Sequence, residues 1–301
     1  MPPSHIDLRL PCRGPFDGEG VIDFLARRAV TGVEEVYEQR YRRSLRLPHG
    51  AGVVELDLAS VEDHVTARYW LRDHRDLAPA VQRSRALLDL DCDPQAVIEA
   101  LGDDELLGPL VRAVPGRRVV GHVDPDELAV RAVLGQQISL ASASTLARRL
   151  VADHGERLEH PVGAVTQLFP TAAALTTLDP TRLAMPSSRR RAVIALCGAL
   201  ASGELVLDPG GDLKRARGQL LALPGIGTWT AGYIAMRALR DSDAFIATDL
   251  GVRHALERLG RDGSPREAER LAESWRPYRA YALQYLWGSL AAAPATAGPR
   301  R

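Results

Sequence analysis

Cysteine is scarce in this sequence: Cys12, Cys92 and Cys197 stand far apart, with no CxxC pair. Cysteine alone therefore cannot build a zinc site or an iron–sulfur cluster, and the three thiols are expected to be reduced and buried. No apolar run reaches the roughly 18 residues that a membrane span needs. The N-terminal MPPSHIDLRLP also lacks the basic-then-apolar order of a signal peptide. The expectation is a cytoplasmic protein with no membrane partner. Net charge is missing too, since 38 Lys and Arg balance 38 Asp and Glu; any nucleic-acid surface must then be a local patch. Lysine is almost absent. With Lys214 the only one, Schiff-base chemistry, which needs a desolvated amine at the reacting carbon, has a single candidate. Eight histidines show no HxxxH spacing and read as structural or solvent-facing.

What is present is a chain of 301 residues, 46% hydrophobic, able to bury a substantial core. Alternating segments at His5 to Leu10, Val53 to Leu58 and Val65 to Leu71, with a helical stretch Gly20 to Arg28, predict an N-terminal α+β region. The segment His49 to Gly52 reads as a hairpin turn. From about Leu77 the strand signal vanishes and helical periodicity takes over as far as Ala291, so the rest is expected to be all α. Asp124-Pro125-Asp126-Glu127 reads as a cap, with proline at the first helical position and glutamate three residues beyond the cap. Pro170-Thr171, Asp179-Pro180, Pro186-Ser187-Ser188 and Asp208 to Gly211 divide the middle into short helices.

The most informative stretch is Leu221 to Ala231, LALPGIGTWTA, in which two helices are joined by a glycine turn. Glycine at Gly225 and Gly227 lets backbone N–H groups approach a phosphate, and the dipole of the following helix favours the anion. Taken alone, Pro-Gly-x-Gly is an ordinary helix-to-helix turn. Likewise Asp249, in FIATDLGVRHAL, is by itself a good N-cap.

Together the hairpin and Asp249 resemble the signature of the helix-hairpin-helix-GPD base-excision DNA glycosylase superfamily. Within it the AlkA-type DNA-3-methyladenine glycosylase II family is similar over about Phe16 to Trp287. The likeness recurs in order at Phe24 to Val36, Val123 to Ser139, Ala184 to Ala192, the hairpin, and Trp275 to Leu283. The resemblance implies a mixed, mainly α fold: an N-terminal α+β subdomain of antiparallel sheet plus helices, then two all-α subdomains with the helix-hairpin-helix motif at their cleft. Its expected divisions are residues 1–85, then 86–121 with 240–290, then 122–239, and a disordered tail at 291–301.

It further implies a glycosylase excising alkylated bases from damaged double-stranded DNA, with Asp249 catalytic. Breaking an N-glycosidic bond builds positive charge on the sugar, which a nearby anion stabilises. Phe24, Trp229, Tyr233 and Trp287 stand at base-pocket positions, where aromatic faces would attract a cationic base with about 0.5 to 2 kcal/mol per contact. Gln137 occupies the position of the wedge that fills the gap left by the flipped base, with Gln136 orienting it. Gly225, Ile226, Gly227, Thr228 and Thr230 would hold the DNA backbone. Carbonyls of Leu221, Leu223 and Ile226 would hold a structural monovalent cation when DNA is bound, and catalysis itself needs no cofactor. Bifunctional relatives carry a lysine where Trp229 stands, so no lyase activity is expected. A monomer suffices for one lesion. Leu250, Gly251 and Asp126 depart from the family pattern and leave a wider pocket, and with it deaminated or oxidised purines, as an alternative. A DNA-binding protein with a dead pocket is the other.

Overall fold

The computed structural model describes residues 5–177 and 185–291. The Asp179-Pro180 breaker, Ala184 and the tail from residue 292 lie outside them. Strand β1 (Ile6–Pro11) and helix α1 (Gly18–Ala26) are followed by β2 (Glu34–Tyr37), β3 (Arg40–Leu47), β4 (Gly50–Asp57), β5 (His64–Leu71) and helix α2 (Leu77–Leu88). The strands form one antiparallel sheet in the order β1-β5-β4-β3-β2. Leu47 pairs with Gly50, so the β3–β4 turn spans Leu47 to Gly50 with Pro48-His49 at its tip, two residues earlier than His49 to Gly52 would place it. Leu10, Phe24, Tyr41, Leu56, Tyr69 and Leu87 bring the sheet, α1 and α2 into one core.

Helices α3 (Pro94–Leu101), α4 (Gly108–Ala113), α5 (Pro125–Leu134) and α6 (Leu140–His154) come next. Asp124 caps α5 by accepting from the N–H groups of Asp126 and Glu127, with Pro125 at the first position. Glu127 does not return to the cap. Its carboxylate is buried and accepts from Arg43 at 2.8 Å and Arg131 at 2.9 Å. Glu34 accepts from the same two arginines and from the Tyr41 hydroxyl at 2.6 Å. Glu34, His122 and Glu127 lie close enough to share a metal ion, but both carboxylates are already bound by guanidinium groups. These charges join β2 and β3 to α5. They also explain why β2 and β3 escape a hydrophobic pattern: the inward positions Glu34 and Arg43 are paired ions.

The expectation that everything beyond Leu77 is helical fails at β6 (Glu156–Val162) and β7 (Val165–Leu168), an antiparallel hairpin. Leu158, Val165 and Leu168 bury against Val53, with Trp70 beside them, so the hairpin is held by packing on the N-terminal sheet. After it come α7 (Ala172–Thr176), α8 (Ser187–Ser202), α9 (Leu213–Ala222), α10 (Thr228–Arg237), α11 (Leu250–Arg258), α12 (Pro265–Ala272) and α13 (Arg279–Ala291). Two further cores result. One gathers residues of α5 to α10, among them Leu128, Val133, Leu196, Leu220 and Ile234. The other joins the Cys92 to Val119 stretch with Ile246, Val252, Trp275 and Leu283. Among the described residues, no helix is long and apolar enough to cross a membrane.

Candidate active site

Helix α10 presents Trp229, Tyr233 and Arg237 at spacings of four, on one face. The Trp229 and Tyr233 rings are stacked, with centroids 5.2 Å apart and planes 7° from parallel. Opposite them, Asp249 caps α11 by accepting from the Val252 N–H at 3.1 Å. The same carboxylate accepts two more donors: Trp229 Nε1–H on Oδ2 at 2.7 Å and Trp287 Nε1–H on Oδ1 at 2.8 Å. Three donors from three helices fix its rotamer. Asp249 is 9% exposed and lines a cavity of about 590 Å³, with Phe24, Arg28, Trp229, Tyr233, Arg237 and Trp287 on its walls.

Gly251 has a definite cause here. A Cβ at this position would lie 2.9 Å from Asp249 Oδ1 and 2.9 Å from Trp287 Cδ1, so the missing side chain is the room through which Trp287 reaches the carboxylate. The departure at Gly251 therefore brings the indole in close. Leu250 points out at the cavity mouth, 64% exposed. Asp126 is not a lining residue; burial and then Asp124 push its carboxyl up to about 6.

Phe24 is in the cavity wall, but guanidinium groups lie over its ring, Arg28 at 3.7 Å and Arg237 at 4.7 Å. Arg237 also donates to the Tyr233 hydroxyl at 2.7 Å and to the carbonyls of Val120 and Gly121. For Tyr233, burial alone would raise the phenol pKa. Arg237 and Arg28 outweigh it and bring the phenol down to about 8. Neither arginine was picked out by the motifs, although both follow an aromatic at four residues: Phe24–Arg28 and Tyr233–Arg237.

The hairpin closes through Ile226 N–H to Leu223 C=O at 3.2 Å. Gly225 adopts φ +81°, and a Cβ there would meet Ala192 Cβ at 2.8 Å. Gly225, Gly227 and Thr228 are exposed, whereas Ile226 is buried. Gly227 precedes α10 with no side-chain cap, leaving first-turn N–H groups open to an anion. Thr230 is buried and its hydroxyl accepts from Gln136 Nε2 at 2.9 Å. Gln136 Nε2 also donates to Gly225 C=O at 2.9 Å, and Arg189 donates to Gln136 C=O. The loop before α6 is thus tied to the hairpin, and Gln137 stands exposed at its tip with φ 56°. Lys214 is exposed on α9 and is not a lining residue.

The AlkA N-terminal domain matches residues 7–124, and the HhH-GPD superfamily of base excision DNA repair proteins matches residues 130–278. DNA-3-methyladenine glycosylase 2 of Escherichia coli K12 is 36% identical over 278 residues, 91% of this chain and 94% of that protein. The chain belongs to the AlkA-type branch of this superfamily. The probable bifunctional transcriptional activator/DNA repair enzyme AlkA of Mycobacterium tuberculosis H37Rv is 51% identical over 95% of this chain. The chain spans only 57% of the length of that relative. A 3-methyladenine DNA-glycosylase structure from Archaeoglobus fulgidus shares the fold, with TM-score 0.80 and 23% identity over 93% of this chain and 97% of that one. The AlkA N-terminal match ends at Asp124, the residue that caps α5.

Proposed function

We propose that this chain is a monofunctional DNA glycosylase, which turns an alkylated base out of damaged duplex DNA and hydrolyses its bond to deoxyribose without cutting the strand. The carboxylate of Asp249, held by two indole N–H donors in the wall of a cavity, carries the reading. As the glycosidic bond breaks, positive charge grows on the sugar. An anion fixed beside it stabilises that charge, and the same group can orient and deprotonate the attacking water. The E. coli relative's name, a 3-methyladenine glycosylase, supports the alkylated-base class. Trp229 standing where bifunctional relatives carry lysine, and Lys214 exposed outside the cavity, support a reaction without covalent attack by a lysine amine on the sugar.

In this reading Gln137 fills the space left by the extruded base, and the backbone around Gly225, Gly227 and Thr228 grips a phosphate. The carbonyls of Leu221, Leu223 and Ile226 are an oxygen-only donor set that suits a hard monovalent cation once DNA is bound; catalysis draws nothing from it. The protein would act as a monomer in the bacterial cytoplasm, at the nucleoid. The test is release of base from methylated duplex, followed by alkali. Free 3-methyladenine and 7-methylguanine are expected, with strands intact until alkali is added. Nicks before alkali would overturn the monofunctional assignment, and no released base would overturn the glycosylase itself.

A further inference from the structure

Trp287 packs against two hydrophobic cores at once, the sheet core that holds Phe24 and the helical core that holds Val252 and Leu283. Its indole also donates to Asp249. A slide or rotation of α13 between those cores would move that donor away from the carboxylate. Apolar packing resists sliding only weakly, because it is non-directional. A directional contact one residue from Trp287 comes from Arg117, in the segment between α4 and α5.

The base of Arg117 is fixed on the N-terminal side. Gly116 C=O accepts from Asp17 N–H at 3.1 Å, and Arg118 Nη2 donates to the carbonyls of Arg13 at 2.6 Å and Pro15 at 3.0 Å. Gly116 permits this approach: it adopts φ +81°, and a Cβ there would lie 2.8 Å from Phe16 N. The tip of Arg117 crosses to α13. A Cβ on Gly288 would overlap Nη1 and lie 2.5 Å from Cζ, so the guanidinium occupies the space a side chain would fill. An interior helical glycine is less favourable than alanine, and the docked guanidinium offsets that. The ring of Tyr285, three residues earlier on the same face, lies 5.8 Å from Cζ. Nη2 forms an ion pair at 3.5 Å with Asp17, the N-cap of α1, whose carboxylate accepts from Gly20 N–H at 2.9 Å. Arg117 thus links the start of the helix that carries Phe24 to the residue after Trp287, and Asp17, Arg117 and Gly288 all line the cavity.

We infer that Arg117 is a positioning residue for the reaction: by bridging Asp17 and Gly288 it holds α13 in the register at which Trp287 meets Asp249. Asp17 and Arg117 both fall within the N-terminal match, residues 7–124, so through them the N-terminal domain takes part in shaping the active site. What Asp249 does once held rests on the glycosylase reading above.

The experiment measures single-turnover release of 3-methyladenine from methylated duplex, affinity for abasic-site duplex, and near-ultraviolet circular dichroism. The proteins compared are the wild type, Arg117→Met, Arg117→Lys, Gly288→Ala, Trp287→Phe and the double variant Arg117→Met with Trp287→Phe. Arg117→Met should lower the release rate about tenfold while abasic-site affinity stays within about twofold. Arg117→Lys keeps a charge for Asp17 but not the flat contact on α13, and should recover part of the rate. Gly288→Ala should match Arg117→Met, since its methyl displaces only the end of a flexible side chain. In the Trp287→Phe background Arg117→Met should change the rate by less than about twofold, because the contact it acts through has gone. The same fold loss in both backgrounds would overturn the inference, as would a wild-type rate in Arg117→Met. The dichroism separates this outcome from the glycosylase reading: the aromatic band should differ between wild type and Arg117→Met, and that difference should vanish in the Trp287→Phe background. If the wild type releases no base, the glycosylase reading falls and the dichroism alone decides on Arg117. Thermal melts identify a variant that has lost its fold; if Arg117→Met is one, Gly288→Ala, alone and combined with Trp287→Phe, carries the same test.

Discussion

Trp229 and Asp249, twenty residues apart in sequence, meet through an indole N–H that donates to one carboxylate oxygen at 2.7 Å. Trp287 supplies the other oxygen with a matching donor at 2.8 Å. A carboxylate serves both because each oxygen is an acceptor; an amide cannot, since its NH2 would face an indole N–H. Asp249→Asn should therefore lower base release by at least about a hundredfold, and the lost acceptor should cost on the order of 1–3 kcal/mol of stability. Binding to abasic-site DNA should stay nearly intact. Wild-type rates in this variant would remove Asp249 from the chemistry.

Gly251 yields a sharper test, because the substitution adds only one methyl group. Gly251→Ala places that carbon where Asp249 Oδ1 and Trp287 Cδ1 both lie 2.9 Å away, against packed groups rather than a free side-chain end. The indole must then withdraw from the carboxylate. The expected result is a drop of about tenfold or more in the single-turnover rate, with little change in abasic-site affinity. A rate equal to wild type would mean that the Trp287 contact contributes nothing.

Gln136 links the loop tip to the hairpin through Gly225 and Thr230, whereas Gln137 projects from the tip with φ 56°. Removing either should have a distinct signature. Gln137→Ala should weaken binding to damaged duplex more than to single strands, because only a duplex has a stack to fill. Gln136→Ala should add a loss of about 1–2 kcal/mol in stability as two hydrogen bonds go. Equal losses on duplex and single strand for Gln137→Ala would dispose of the wedge assignment.

The caps at Asp124 and Asp249 are legible in the residues, because capping depends on a few neighbouring positions. Strands β2 and β3 are not. Their inward residues include Glu34 and Arg43, and only the partners Arg131 and Glu127, roughly a hundred positions on, make those charges tolerable inside. The β6–β7 hairpin is hidden for a related reason: Leu158, Val165 and Leu168 gain their burial from Val53 on a distant strand. At the site, the aromatic positions are readable from motif order. The indole N–H groups aimed at Asp249, and the guanidiniums over Phe24, follow from how helices meet and leave no local signal.

Tyr233 should ionise earlier than an ordinary tyrosine. Burial opposes the phenolate, but Arg237 on the same helix and Arg28 on α1 favour it more strongly and bring the phenol to about 8. Tyrosinate difference absorbance should show one ring titrating near pH 8, ahead of the rest, and that step should vanish in Tyr233→Phe. Because the folded value lies below the unfolded one, near 10, the group adds stability as pH rises through about 8 toward 10. A wild-type titration with no step below the ordinary tyrosine range would contradict the arrangement.

Arg43 tests whether the buried ions hold the sheet to α5. It is 1% exposed and bonds Glu34 and Glu127 together, while Arg131 bridges the same carboxylates from α5 itself. Arg43→Met leaves two buried carboxylates sharing one remaining guanidinium, and removal of one partner from such a group costs about 3–5 kcal/mol. For a chain of this size that is a fall of roughly 5–8 °C in Tm. Burial would raise the Glu34 carboxyl, but Arg131, Arg43 and the Tyr41 hydroxyl together hold it below its ordinary 4.5. Its contribution in the wild type is therefore complete above pH 4.5 and fades as pH drops through the lowered folded value. Burial holds the Glu127 carboxyl above its ordinary value, so it takes its proton first; thermal melts of wild type and Arg43→Met, run from neutral pH down through the Glu34 range, should converge as Glu34 follows. A melting temperature within a degree of wild type at neutral pH would show that the network contributes no net stability, and that apolar packing alone joins the sheet to the helix that carries the Gln136–Gln137 loop.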